Sequence, residues 1–178
     1  MTLVLSGNTG SALDGIKNSL MFLETAKATT SGTSIDFTGI PSWAKKITVM
    51  FNGVSTNGTS KVQIQLGTSG GIQTTNYFGA ASNVFSGASS SNLSSGFATE
   101  ANTAANIRHG IIQLSLLDST TGLWTAFGIQ GLSDAAGTFP IAGSKTLSGT
   151  LDRVRITTVN GTDTFDNGSV NILIEGYV

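Results

Sequence analysis

The chain has no cysteine, one histidine and few charges: nine Lys and Arg, ten Asp and Glu, 11% of 178 residues. Without cysteine there is no disulfide and no thiolate zinc site. Without a basic face there is no electrostatic footprint for nucleic acid, which a binding protein must neutralise along its phosphates. Long apolar runs are also missing. The start, MTLVLSGNTG, has no basic leader and its apolar run covers only Leu3 to Leu5. Neither a secretory signal nor a membrane span is expected, and synthesis and folding in a cytosol follow.

In place of charge the chain carries 22 serines, 25 threonines, 12 asparagines and 23 glycines, nearly half of all residues. Such a composition makes many turns and an uncharged surface. Disorder is not expected, because the apolar 39% falls in periodic runs and the net charge is only −1. Weak charge also leaves little repulsion between copies, so much of the surface is expected to be covered by sister chains or partners.

Period-two alternation dominates. Ile47, Val49 and Phe51 alternate with Lys46, Thr48 and Met50. Val62, Ile64 and Leu66 alternate with Lys61, Gln63 and Gln65. Each run predicts a strand with one buried face. Asn52-Gly53 and Asn57-Gly58 lie between them, which predicts a hairpin over 40–67. Val154 and Ile156, then Asn160-Gly161 and Asn167-Gly168, then Val170, Ile172 and Ile174 predict a second hairpin on the same plan. Ile112, Leu114 and Leu116, a turn over 118–122, and a partner strand over 123–131 predict a third. That partner has Phe127 and Ile129 on one side and Trp124 on the other. Residues 133–144 read as a loop and 67–106 as short irregular strands between long loops. Eight to ten strands with frequent turns predict an all-β, antiparallel β-sandwich, jelly-roll-like, over residues 31–178.

Residues 1–30 differ. Leu13, Ile16, Leu20 and Leu23 fall three and four apart, the spacing of one helix face, though an extended arm reads equally well. With Phe22 they form an apolar segment that needs a surface, and 26–34 has the small polar composition of a linker. This segment is the expected site of attachment or oligomerisation.

The chemistry-bearing residues are sparse. His109 has no second histidine or cysteine to work with, and reads as an edge residue. Asp163 and Asp166 in TDTFDNG supply two carboxylates where a calcium loop needs several oxygen ligands, so an Asx-turn is the simpler reading. No nucleophile elbow and no phosphate loop is present. No catalytic residue, no metal site and no cofactor is expected. Trp43, Trp124, Tyr77, Phe78 and Phe85 would serve either as core or as stacking platforms for sugar rings.

The stretch SIDFTGIPSWAKKITVMFNGVSTNGTSKVQIQLG, followed by GGIQTTNY, resembles a β-domain that recurs in tailed-phage tail fibres and other virion appendages. SGTLDRVRITTVNGTDTFDNGSVNILIEGY is similar to the close of the same module. The likeness covers about residues 31–178. It implies a non-enzymatic bacteriophage structural protein, homo-oligomeric and usually trimeric, located in the virion. The N-terminal thirty residues would join other virion proteins of the tail or baseplate. The loops over 68–106 and 131–146 would contact the host surface, where a glycan is one partner, with Tyr77, Phe78, Phe85 and Phe139 as contact residues. A capsid decoration protein or head fibre without receptor contact is the alternative. A host-polysaccharide-cleaving enzyme is a second, and would need a carboxylate pair in a groove.

Overall fold

The computed structural model describes residues 19–84, 89–101, 103–104 and 106–177. They contain strands and no helix. In chain order the strands are β1 (Ser19–Leu23), β2 (Lys27–Ala28), β3 (Ser34–Thr38), β4 (Ala44–Thr56), β5 (Val62–Thr68), β6 (Gly71–Ile72) and β7 (Tyr77–Asn83). Then come β8 (Ser89–Asn92), β9 (Phe97–Ala98), β10 (Arg108–Asp118), β11 (Leu123–Leu132), β12 (Thr138–Thr146), β13 (Arg153–Thr158) and β14 (Phe165–Tyr177).

Two antiparallel sheets pack face to face, as the alternation predicts. The larger runs β1-β14-β4-β10-β11-β12-β7-β8, with β2 also on β14; the smaller runs β3-β13-β5-β6, with β9 on β5. Nine strands against five is more unequal than the paired sheets of a jelly roll. The core between them is apolar and tight. Ile47, Val49, Ile112, Leu114, Ile172 and Ile174 of the larger sheet meet Ile64, Leu66, Val154 and Ile156 of the smaller. All ten side chains are fully buried.

Two of the three expected hairpins are something else. β4 pairs with β10 and β14, while β5 pairs with β13, β6 and β9. The chain between β4 and β5 therefore crosses from one sheet to the other. The chain between β13 and β14 does the same. Alternation assigns a side chain to a face; it does not say which strand lies alongside, and a corner preserves the pattern as well as a hairpin does. The shared plan of the two segments is real as a pair of corners. Asn57 N–H donates to the Thr164 carbonyl at 2.9 Å, and Thr164 N–H donates to Asn57 Oδ1 at 2.9 Å. Gly53 and Gly168 face each other where the β4–β14 register slips, at φ +68° and +90°, and a Cβ on Gly168 would lie 2.3 Å from the Gly53 carbonyl oxygen. Glycine is required there twice over, by backbone angle and by space.

The third hairpin forms as expected. β10 and β11 pair from Arg108↔Leu132 to Asp118↔Leu123. Asp118 closes the turn, accepting from Thr120 N–H and the Thr121 hydroxyl, each at 2.8 Å. Residues 138–146 correct the expected loop: β12 is a full strand between β11 and β7. Its Gly143 and Pro140 read as loop signals, yet Phe139, Ile141 and Lys145 alternate inward.

The N-terminal part is extended where it is described. β1 pairs with β14 from Ser19↔Tyr177 to Leu23↔Leu173, and β2 pairs with the same strand. The linker-like stretch is tied down as well: Thr29 is buried, with its N–H on the Gly168 carbonyl and its hydroxyl donating to the Asn167 carbonyl. Residues 19–29 thus belong to the body of the sheet.

Candidate functional site

The outer face of the larger sheet carries the least ordinary chemistry. A solvent face of an antiparallel sheet is normally polar. Here the register aligns three rows across it. One runs Asn171, Met50, Ile111, Ile129, Pro140. The next runs Leu23, Leu173, Thr48, Gln113, Phe127, Ala142. The third runs Met21, Glu175, Lys46, Ser115, Thr125, Ser144, with Phe78 beyond. Ile111, Phe127, Ile129, Phe78, Met21 and Leu23 are each about half or more exposed. The charges within these rows are Lys46 and Glu175, and they neutralise each other at 2.7 Å.

Phe78 is the expected contact residue that the structure presents to solvent, at 64% exposure. It borders a shallow cleft of about 420 Å³ with Asn76, Asn92 and Ser94. An aromatic face beside amides and a hydroxyl can stack on and hydrogen-bond a polar ring. Tyr77 and Phe139, expected beside it, lie inside the fold at 2% and 3% exposure. Tyr77 packs edge-on against Phe97, accepts the Leu66 N–H at 2.7 Å and donates to the Gln73 carbonyl at 2.9 Å. Burial pushes its hydroxyl pKa up, and the Leu66 bond opposes this in part. Their positions follow from strand parity: Phe78 and Tyr77 are neighbours on β7 and must point to opposite faces. Phe85, Leu13 and Ile16 lie outside the described residues. Leu20 is half-buried on β1, and Phe22 and Leu23 are 51% and 59% exposed.

A second recess, of about 280 Å³, opens between the 116–124 turn and the 147–151 segment. Lys45 and several Ser and Thr hydroxyls line it over the buried Trp124, with no carboxylate or histidine among its residues. It can hydrogen-bond a hydroxylated ligand and offers no acid–base pair.

The titratable residues singled out by sequence serve turns. His109 Nδ1 accepts the Gly53 N–H at 3.2 Å, and its Nε2 lies 3.2 Å from the Ser133 hydroxyl. Asp163 accepts from Ser60 N–H at 2.9 Å and from Asn160 Nδ2 at 2.6 Å; Asp166 accepts from the Ser55 hydroxyl. Among the described residues no three His, Asp or Glu gather as a metal set.

Sequence reasoning missed a buried polar group at one end of the sandwich. Arg108 is fully buried and donates to the carbonyls of Asn106 and Ala101 at 2.9 and 3.0 Å. Its Nε, and both amide atoms of the fully buried Gln130, have no protein partner among the described residues. Burial lowers the Arg108 pKa to about 10, against the attraction of Asp134 and Asp166. An arginine at the start of a strand reads as exposed, and no signal in the sequence marks this one as interior.

No protein-family model, curated protein or solved structure matches the chain.

Proposed function

We propose that the chain is a non-enzymatic structural protein of a bacteriophage virion, a tail-fibre or appendage domain fixed through its N-terminal segment and touching the host with its far end. The long strings within 31–178 that resemble such domains are the source of this reading. The observation that carries it further is polarity. Ser19 and Tyr177 are register partners, so β1 starts at the end of the sheet where β14 finishes. The opposite end carries the turns at 57–61, 133–137 and 159–164. These are uncharged or weakly charged, rich in Asn, Gly, Ser and Thr, and suited to hydrogen-bonding a neutral glycan. Weak sites of this kind act through avidity when several copies sit on one particle. On this reading Phe78 lies toward the attachment end, and host contact falls to the far turns.

The test is a particle whose copy of this gene lacks residues 1–18. These residues precede β1, so the truncated protein should keep the β-sheet circular dichroism and thermal transition of the full chain while vanishing from purified virions. Immunogold labelling of intact particles should place the full chain on the tail. Normal incorporation of the truncated protein would overturn the attachment role, and label on the capsid would favour a head fibre or decoration protein.

A further inference from the structure

We infer that Asn52-Gly53 is a self-modification site, at which His109 is the base that closes the Asn52 side chain onto the Gly53 nitrogen and so deamidates it. Such a closure needs a peptide nitrogen that can give up its proton, a side-chain carboxamide free to reach that nitrogen, and no Cβ in the way. Every Asn-Gly pair meets the last condition, and the chain has four, beginning at Asn52, Asn57, Asn160 and Asn167. The first pair alone meets all of them.

The base comes from a bulge. Phe51 pairs with Gly110 and Val54 with Arg108, so Asn52 and Gly53 together stand opposite His109. The Gly53 N–H is turned onto the imidazole, where Nδ1 accepts it at 3.2 Å. An accepting Nδ1 carries no hydrogen, so the ring hydrogen sits on Nε2, 3.2 Å from the Ser133 hydroxyl oxygen that accepts it. The ring is thereby held in the tautomer that can receive a proton from Gly53.

The second condition is freedom. Asn52 is exposed, and its carboxamide has no hydrogen-bond partner among the described residues. The other three are held. Asn57 Oδ1 accepts the Thr164 N–H at 2.9 Å. Asn160 Oδ1 accepts the N–H groups of Thr162 and Asp163, while its Nδ2 donates to Asp163 at 2.6 Å. Asn167 Nδ2 donates to the Gly53 carbonyl at 3.0 Å. The nitrogen that Asn160 would need is also occupied, since Gly161 N–H donates to the Thr158 carbonyl, which is no base.

As the Gly53 nitrogen attacks Asn52 Cγ, its proton passes to His109 Nδ1 and the succinimide ring closes. The Cγ–Nδ2 bond then breaks, and Nδ2 recovers the proton from His109 and departs as ammonia. Solvent water opens the succinimide at either carbonyl, leaving aspartate or isoaspartate. One water is consumed, one ammonia is released, and nothing is oxidised or reduced. The product adds a negative charge at the residue paired with Ser169, and isoaspartate lengthens the backbone where a bulge already absorbs an extra residue.

The purified full chain, kept warm at neutral pH for weeks, should show this by peptide mapping, with a mass gain of about 1 Da at each converted site. Asn52 should convert about tenfold faster than Asn57, Asn160 and Asn167, and the four rates should draw together in urea-unfolded chain. His109→Gln keeps a side-chain oxygen able to accept the Gly53 N–H but removes the base. It should slow Asn52 to the rate of the other three and leave those unchanged. Should that variant fail to fold, the unaltered chain decides, because Asn52 should convert faster folded than unfolded. Asn52 converting no faster than the other three, a folded rate at or below the unfolded one, or an unchanged rate in folded His109→Gln protein would overturn the inference. None of these results bears on the appendage reading, which the labelling test decides.

Discussion

The two sheets treat their outer faces differently. On the smaller sheet, β13 sets Arg155 opposite Asp36 of β3 in a two-bond ion pair, which raises the arginine pKa. Gln63 and Gln65 of β5 are almost fully buried under residues 94–99, where Gln65 Nε2 donates to the Ser95 carbonyl at 2.8 Å and Gln63 Oε1 accepts from the Ser95 hydroxyl. On the larger sheet the same strand chemistry turns isoleucine and phenylalanine outward and leaves them open. Among the described residues, one face is completed by its own chain and the other is not. Exposed apolar side chains scattered singly need no explanation; Ile111, Ile129 and Phe127 stand together on the adjacent strands β10 and β11.

The sharpest contrast lies within β10, where neighbours point to opposite faces. Ile112→Ala removes a fully buried side chain and should cost about 2–5 kcal/mol in urea unfolding. Ile111→Ala, one residue earlier and 51% exposed, should change the dilute protein by less than ~0.5 kcal/mol. Similar losses at both positions would mean that the outer face is already covered within one chain.

A matched pair of glutamines sharpens the comparison between sheets. Gln65→Ala leaves the Ser95 carbonyl without its donor at a nearly buried site and should cost about 1–3 kcal/mol. Gln113→Ala, on the open face, loses one contact to the Ser115 hydroxyl and should stay within ~0.5 kcal/mol. Equal costs would erase the distinction drawn here.

The smallest effect concerns acid. Asp118 sits below its ordinary carboxylate value mainly through the Thr120 N–H, and Asp134 mainly through the Ile107 N–H. A depressed folded-state pKa stabilises above the unfolded value and loses that contribution as pH falls through the folded one. Urea midpoints should therefore decline between roughly pH 5 and pH 2, and Asp118→Asn should flatten part of that slope. An unchanged slope would show that the Thr120 bond carries no linkage.

Strand identity was legible from alternation, as at Ile112-Leu114-Leu116 and at Val62-Ile64-Leu66. The 118–122 turn was legible because one aspartate satisfies two donors locally. Pairing was not, because it is decided by residues more than a hundred positions away: Asn57 and Thr164 close two corners against each other, and nothing in either segment names the other. Pro140 and Gly143 hid β12, since both are turn residues unless a neighbouring strand leaves room for them. For the candidate surface, Phe127 and Ile129 were placed opposite Trp124 from the sequence, but which side faces the core depends on the second sheet. Tyr77 and Phe139 show the same limit, since aromatic rings in Gly- and Ser-rich surroundings look exposed until a second sheet closes over them.

The position of β14 sets an order of events. It lies between β1 and β4, joining residues near 20 and near 50 to residues near 175. Those contacts span most of the chain, which makes them slow to form and dependent on nearly the full length having been synthesised. β10, β11 and β12 can assemble among themselves much earlier. The register rows across the larger sheet therefore become continuous from Leu23 to Ala142 at the last step, when β14 docks. Until then the nascent chain holds an unfinished sheet, and its strand β1 waits for the edge of β14 that it pairs with.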